Sequence, residues 1–453
     1  MARESPSPVT RRANSTAHCG SAEPPPARSP TDPEILCSGT SRSMPADRRP
    51  FHLLAKPTGA VCNLDCTYCF FLSKDALYPG ESMRMRDDVL VAYLTQMLAA
   101  QPDGAVNVAW QGGEPTLMGV AFFERALALA DSLARPGQQL EHSMQTNGTL
   151  IDEEWIALLR RHHVLVGLSV DGPREMHDVH RVGKDGRGSY DDVRRAWDLL
   201  RRNEIETNIL CSISSSNAHD PLGVYRHFRD ELGARHIQFI PIVERATEAT
   251  IDVAEKGWGT GRGRRRILYT QHGDLVTSRS ISGVQYGEFL CRVFDEWVTR
   301  DVGEVFVQLF DVTLGAHFDL HSLCVHAPTC GLALALEHNG DLYSCDHFVE
   351  PDHRLGNILE TPMSEMVGST RQIEFGRNKA TSLPRMCREC DVLYACHGGC
   401  PKDRFATTPD GEPGLNHLCD GYKQFFRHSE PAMRRMADLV RSGRYADEIM
   451  NQT

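Results

Sequence analysis

At 453 residues the chain is long enough for two or three domains and a well-buried core. Its composition, 41% hydrophobic and 24% charged, is that of a soluble globular protein, and no apolar run long enough to cross a membrane occurs. A net charge of -11 argues against nucleic acid as a partner, which would need a basic face, and the lack of a basic-then-apolar leader makes the cytoplasm the expected compartment.

Residues 1–48 are rich in Ser, Pro and Arg without apolar periodicity and read as a disordered tail. From Phe51 to about Pro241 short apolar or β-branched runs recur: Val106–Trp110, His142–Thr146, Val164–Val170, Ile209–Ile213 and Ile237–Ile240. Amphipathic stretches separate them: Asp88–Ala100, Ala121–Ala134, Glu153–His163, Tyr190–Arg202 and Leu222–Glu231. Asp87, Asp152 and Asp191 stand where N-caps would. Strands alternating with helices predict an α/β fold of βαβ units, with a parallel sheet and ligands at the strand C-terminal ends. A partial, TIM-like (β/α) barrel over 49–283 is the natural closure.

Residues 245–283 break this pattern with Gly- and Arg-rich sequence such as Gly257–Arg266, the mark of a connector. Over 284–321 a helical stretch, Tyr286–Arg300, leads into the apolar run Val305–Phe310. A small cysteine-dense domain is expected at 322–425, held by metals rather than by a large core. The last stretch, Tyr422–Met450, reads as closing helices and forms a C-terminal segment at 426–453.

The 15 cysteines carry most of the functional information, because in this compartment short-spaced thiols mean metal or redox chemistry rather than disulfides. Cys62, Cys66 and Cys69 form CxxxCxxC, flanked at the last position by Tyr68 and Phe70. Three thiolates can hold three irons of a [4Fe–4S] cubane and leave the fourth open. A zinc knuckle is the alternative, but zinc motifs supply four ligands in two pairs. Cys324, Cys330, Cys345, Cys387, Cys390, Cys396, Cys400 and Cys419 read Cx5C, a gap of fourteen, C, then Cx2Cx5Cx3C and a final C. Eight thiols suffice for two fully ligated clusters, with four-cysteine zinc sites as the structural alternative. Cys19, Cys37, Cys211 and Cys291 have no partner at ligand spacing.

The triad, with Gly112–Gly113–Glu114–Pro115 following one strand later, resembles the radical S-adenosylmethionine (SAM) superfamily. In that setting Gly112 and Gly113 let the backbone approach the methionine part of SAM, and Glu114 or nearby carbonyls accept from its ammonium. The resemblance also places Tyr68, Gln111, Ser169 and Arg181 at SAM-contacting positions; capping and turn formation are the alternatives for Ser169 and Asp171. Gln145–Thr149 fits a strand-end turn facing the barrel mouth.

The later cysteines resemble the SPASM domain, a cluster-bearing extension of certain radical SAM enzymes. That resemblance implies one auxiliary cluster on Cys324, Cys330, Cys345 and Cys400 and a second on Cys387, Cys390, Cys396 and Cys419. From Phe51 to Tyr422 the chain resembles anaerobic sulfatase-maturating enzymes, through segments such as Cys62–Phe71, Trp110–Leu117, Gly167–Arg181 and Cys345–His347. The implied activity is oxidation of a Cys or Ser side chain in an unfolded or nascent sulfatase to Cα-formylglycine. It would use SAM as the source of a 5'-deoxyadenosyl radical, three [4Fe–4S] clusters, and an electron donor such as flavodoxin or ferredoxin, in a monomer.

Such a reaction needs a base for the thiol or hydroxyl proton, and Asp346, next to Cys345, matches the family position; a turn aspartate is the bland reading. His347 is expected to be structural. Two other functions fit parts of the pattern: a SPASM peptide maturase forming thioether or carbon–carbon links, and a zinc-stabilised binding module without catalysis. Glu244–Arg279 lies outside the resemblance and would alter substrate choice if it borders the peptide channel.

Overall fold

The structure, a computed structural model, describes residues 50–259 and 267–452; the tail at 1–48 and the Arg264–Arg266 run lie outside these. Six strands build the barrel: β1 (His52–Lys56), β2 (Gly104–Trp110), β3 (Gln138–Thr146), β4 (Leu165–Ser169), β5 (Thr207–Ile213) and β6 (His236–Pro241). Each pairs in parallel with the next, as βαβ connections require. The crossover helices are α1 (Asp87–Ala100), α2 (Val120–Leu133), α3 (Glu153–Arg161), α4 (Arg174–His180), α5 (Tyr190–Arg202) and α6 (Pro221–Arg226).

Alternate strand residues are buried beneath these helices, where Trp110 meets Tyr93, Phe122 and Phe123 edge-on. The opposite faces are half-buried, and Leu54, Gln111, Ser143, Gln145, Asn208 and Gln238 line one cavity there. A strand that buries one face and wets the other reads as alternation, which is why these runs were legible.

Three local expectations are corrected. Asp152 does cap α3, accepting from Glu154 N and Trp155 N at 3.0 and 3.1 Å. Asp87 and Asp191 instead lie inside the first turns of α1 and α5, behind Arg86 and Ser189. Carboxylates favour the first turn as well as the cap, because both positions face the positive end of the helix dipole. The amphipathic stretch Leu222–Glu231 divides between α6 and a π-type turn, His227–Leu232, that ends on left-handed Gly233. Only Phe306–Val307 of Val305–Phe310 is strand, β9, because α9 (Gln308–Ala316) starts immediately after it.

The connector is also more ordered than its composition suggested. It holds the hairpin β7 (Arg245–Ala246) and β8 (Leu275–Val276) and one helical turn, α7 (Ile251–Ala254). Glu244 and Arg279 form a buried ion pair at 2.9 Å, and Trp258 Nε1 donates to Glu244 at 2.5 Å. Trp258, Tyr269, Ala246 and Ala254 make a small apolar cluster against Phe70, next to the cysteine triad.

The cysteine-rich region shares a sheet with the barrel. Strand β10 (Ala333–Glu337) pairs in parallel with β1, and β11 (Asp341–Tyr343) and β12 (Arg354–Asn357) continue antiparallel. The result is one ten-stranded sheet in the order β12-β11-β10-β1-β2-β3-β4-β5-β6-β9. The remaining α-helices are α8 (Gly283–Arg300), α10 (Met363–Val367), α11 (Thr370–Thr381), α12 (Arg385–Arg388), α13 (Leu393–Cys396) and α14 (Cys419–Arg441), and a 3-10 helix, Ala446–Gln452, follows them. Helix α14 packs on α8 so closely that a Cβ on Gly421 would lie 2.0 Å from the Gly283 carbonyl oxygen. Among the described residues no helix is long and apolar enough to cross a membrane.

Candidate radical SAM site and auxiliary cysteine sets

The triad loop leaves β1 and is gripped from two sides. Gly113 N donates to Gly59 O at 2.8 Å and Glu114 N to Val61 O at 2.9 Å. A Cβ on Gly113 would lie 2.1 Å from Val61 O, so this glycine is demanded first by the chain's own loop. From the other side Asn147 Nδ2 donates to Asn63 Oδ1 at 2.9 Å and to Cys62 Sγ at 3.6 Å, while Asn63 Nδ2 reaches Thr149 Oγ1 at 2.8 Å. The Gln145–Thr149 turn thus serves as a clamp on the triad.

Glu114 explains how the two sides stay in register. It is fully buried, and its Oε1 accepts from Thr116 N, Thr116 Oγ1 and Thr146 Oγ1 at 3.0, 2.6 and 2.7 Å. Its Oε2 accepts from Asn147 N at 2.8 Å. The carboxylate faces β3 and its turn, where the sequence suggested an ammonium partner. It is a hub that fixes the loop carrying Asn147.

Burial raises all three triad thiols, Cys66 to about 12. Thiols so buried stay protonated and inert unless a cation takes the proton's place. That donor chemistry fits a metal cluster bound with release of protons.

A second hub sits at the end of β4. Asp171 Oδ2 accepts from Tyr68 Oη at 2.5 Å and from Arg181 Nε at 2.9 Å, and its Oδ1 accepts from Ser212 N at 2.9 Å. Arg181 also lies 5.6 Å over the Tyr68 ring. Tyr68 and Arg181 are therefore held together by a residue that the sequence left as a turn former. The Nη nitrogens of Arg181 make no hydrogen bond among the described residues, which leaves them for an anion. Ser169 Oγ accepts from Gln145 Nε2 at 2.9 Å beside the cavity.

Asp346 lies at the third hub. Gln111 Nε2 donates to its Oδ2 at 3.0 Å, and the ammonium of Lys56, at the end of β1, pairs with its Oδ1. Burial alone would raise the Asp346 carboxyl. The Lys56 and His347 charges and the hydrogen bonds from Lys56 and Gln111 bring it below the ordinary carboxylate range. Lys56 itself is 1% exposed and sits 3.9 Å over the Phe71 ring. Sequence reading missed Lys56; an isolated Lys ending an apolar strand, one turn before the triad, was the available signal. The connector braces this corner, with Gln271 donating to Glu350 Oε2 and His347 O at 3.0 and 3.1 Å and Lys74 donating to Tyr269 O at 2.6 Å.

The eight later cysteines fall into two neighbourhoods. Cys324 lies within electrostatic reach of Cys330, Cys345 and Cys400, and Cys396 within reach of Cys387, Cys390 and Cys419. The second four line one pocket with Met386, Val392 and Leu393. Burial pushes Cys396 and Cys400 up to about 12 and Cys419 to about 11. All cysteines among the described residues are unpaired. Fourfold sets of unpaired thiols are the donor chemistry of a fully ligated [4Fe–4S] cluster. Cys211 and Cys291 are core residues.

Comparison with known proteins agrees with this geometry. Residues 57–225 match the radical SAM superfamily model and 328–391 the iron–sulfur cluster-binding SPASM domain. The chain is 41% identical over 406 residues to a serine-type anaerobic sulfatase-maturating enzyme of Bacteroides thetaiotaomicron, covering 89% of this chain and 93% of that protein. It is 32% identical over 400 residues to a cysteine-type enzyme of Clostridium perfringens, covering 86% and 100%. The solved structure of anSMEcpe with bound AdoMet and Cp18Cys peptide superposes with a TM-score of 0.74 at 31% identity, over 86% of this chain and all of that one. The chain belongs to the anaerobic sulfatase-maturating enzymes of the radical SAM superfamily, with SAM and [4Fe–4S] clusters as its cofactors.

Proposed function

We propose that this enzyme oxidises a Cys or Ser side chain of an unfolded or nascent sulfatase polypeptide to Cα-formylglycine, with Asp346 as the base. The observation that carries this reading is the Lys56–Asp346–Gln111 cluster: a carboxylate held ionised next to Cys345, at the mouth of the barrel cavity. In this reading Cys62, Cys66 and Cys69 hold the cluster that binds SAM. Gln111, Gly112, Gly113, Ser169, Arg181 and Tyr68 surround it, and Glu114 fixes the loop. Cys324, Cys330, Cys345 and Cys400 hold one auxiliary cluster, and Cys387, Cys390, Cys396 and Cys419 the other. SAM on a three-cysteine cluster supplies a means of removing a hydrogen atom from an unactivated carbon.

The residues then account for the remaining balance. Oxidising CH2–XH to CH=X removes one hydrogen atom from Cβ, one proton from X and one electron. Asp346 takes the proton at its carboxylate, while Lys56 and Gln111 hold that group in place. Ser yields the aldehyde directly; Cys yields a thioaldehyde that water converts to the aldehyde with loss of hydrogen sulfide. The Nη nitrogens of Arg181 offer a bidentate match to the SAM carboxylate. A flavodoxin- or ferredoxin-type donor and a monomeric enzyme complete the reading.

The test mixes anaerobically reconstituted enzyme, reductant, SAM and a peptide carrying CxPxR or SxPxR. Mass spectrometry should find the formylglycine product together with 5'-deoxyadenosine. In Asp346→Asn, peptide oxidation should fall on the order of 10²-fold or more while deoxyadenosine formation persists. Equal retention of both activities would refute the base assignment.

A further inference from the structure

A buried Lys379 and a half-buried Arg404 hold the main chain around the auxiliary cysteine sets. Lys379, on α11, is 0% exposed, and its Nζ donates to the carbonyl oxygens of Cys324 and Val325 at 2.6 and 2.9 Å and to that of Ala327. Arg404 donates to the carbonyl oxygens of Lys379, His397, Gly398 and Gly399 at 2.6, 2.7, 2.9 and 3.2 Å. Every one of these acceptors is a neutral main-chain group.

The other buried charges nearby are matched. Lys402 pairs with Asp403 at 2.7 Å, and Asp346 pairs with Lys56. A buried ammonium that meets only carbonyls is costly unless negative charge lies close by. Lys379 holds the turn that begins at Cys324, a residue of the first set. Arg404 holds residues 397–399, the link between Cys396 of the second set and Cys400 of the first. Thiolates at these cysteines would supply the negative charge that the carbonyls lack.

We propose that Lys379 and Arg404 set the reduction potentials of the auxiliary clusters, Lys379 acting on the Cys324–Cys330–Cys345–Cys400 cluster alone and Arg404 on both. The inference rests on the ligand assignment proposed above. A cluster that takes up the electron removed from the substrate gains one negative charge. A cation fixed beside it in a low-dielectric interior stabilises that reduced form, and carbonyl bonds keep the cation from swinging away. Both residues act through the clusters and touch no substrate. Placing the shared charge at Arg404 makes the two acceptors rise together, while Lys379 biases the one nearer Asp346.

The test is an EPR-monitored redox titration of the reconstituted holoenzyme, with iron counted in parallel, for the wild type, Lys379→Met, Lys379→Arg and Arg404→Met. With iron content intact, Lys379→Met should lower one auxiliary potential so that its reduction equilibrium falls about tenfold, or about 59 mV for a one-electron couple. Arg404→Met should lower both, and Lys379→Arg should restore the wild-type value. Unmoved potentials overturn the inference, as does an identical pattern for the two methionine variants. Loss of iron in both methionine variants would also overturn it by assigning the two cations to the scaffold. A wild-type protein without two auxiliary signals would instead overturn the ligand assignment itself.

Discussion

Cys62, Cys66 and Cys69 lie in one loop, whereas the other eight proposed ligands are scattered from Cys324 to Cys419 over three short helices, four loops and the start of α14. The triad is therefore a local motif that the barrel grips, through Gly113, Glu114 and Asn147. The auxiliary sets have no local identity. Cys345 follows β11 while Cys400 follows α13, and only the fold brings them together. A site built from one loop depends on neighbouring elements for its aim. A site built from distant segments depends on the whole fold for its assembly. Leu334, Leu342, Val392, Ala395, Leu418 and Tyr422 tie these segments into the main apolar core, so the expectation of a domain held by metal rather than by a large core is corrected.

The largest expected effect breaks this contrast directly. Cys62→Ala should abolish both 5'-deoxyadenosine and formylglycine while iron falls by about four per chain, one cubane. Cys419→Ala should abolish formylglycine but leave deoxyadenosine formation, and it should loosen α14, seen as faster amide exchange over Cys419–Arg441. If the two variants lose the same activities, the division of labour between the regions is wrong.

Glu114→Gln tests the grip on the triad. The amide cannot accept all four hydrogen bonds, and its NH2 would face a donor on Thr116, Thr146 or Asn147. The loss should be about 2 kcal/mol of stability, read as a lower thermal midpoint, with weaker SAM binding and unchanged auxiliary EPR signals.

The smallest effect is the share of the pH dependence that one barrel histidine contributes. His177 is fully buried beside the Asp171 hub, hydrogen-bonded to Asp171 N and Ser189 Oγ at 3.3 and 3.0 Å, and burial lowers it to about 3. The unfolded chain binds a proton below about 6.5 that the folded protein refuses, so stability is lost as pH falls below that value. His177's own share of the slope should approach about 1.4 kcal/mol per pH unit, and His177→Asn should lessen the fall in thermal midpoint between pH 6.5 and 5 by that share.

Much of the barrel was legible because its strands bury one face and its helices one stripe, so β2 to β6, α1 to α3 and α5 stand within a few residues of the expected runs, while the short α4 was not foreseen. The connector was not, since its order comes from Glu244, Trp258 and Arg279, which are remote from one another in the chain. The shared sheet was equally hidden: β1 carries no local mark saying that β10, far along the chain, is its second neighbour.

The triad and the GGE run that follows it were readable from the sequence itself, because CxxxCxxC and two adjacent glycines are local geometric demands that any fold must satisfy. The amino-acid order alone thus pointed to a three-thiol loop, which as a cluster ligand set would leave one iron open. Which charges surround that site was decided only by the tertiary structure. It brought Lys56 to Asp346, turned Glu114 inward, joined Tyr68 and Arg181 through Asp171, and set Lys379 and Arg404 among the auxiliary thiols. Electrostatic partners act through space at a few ångströms, and sequence spacing carries no record of that distance.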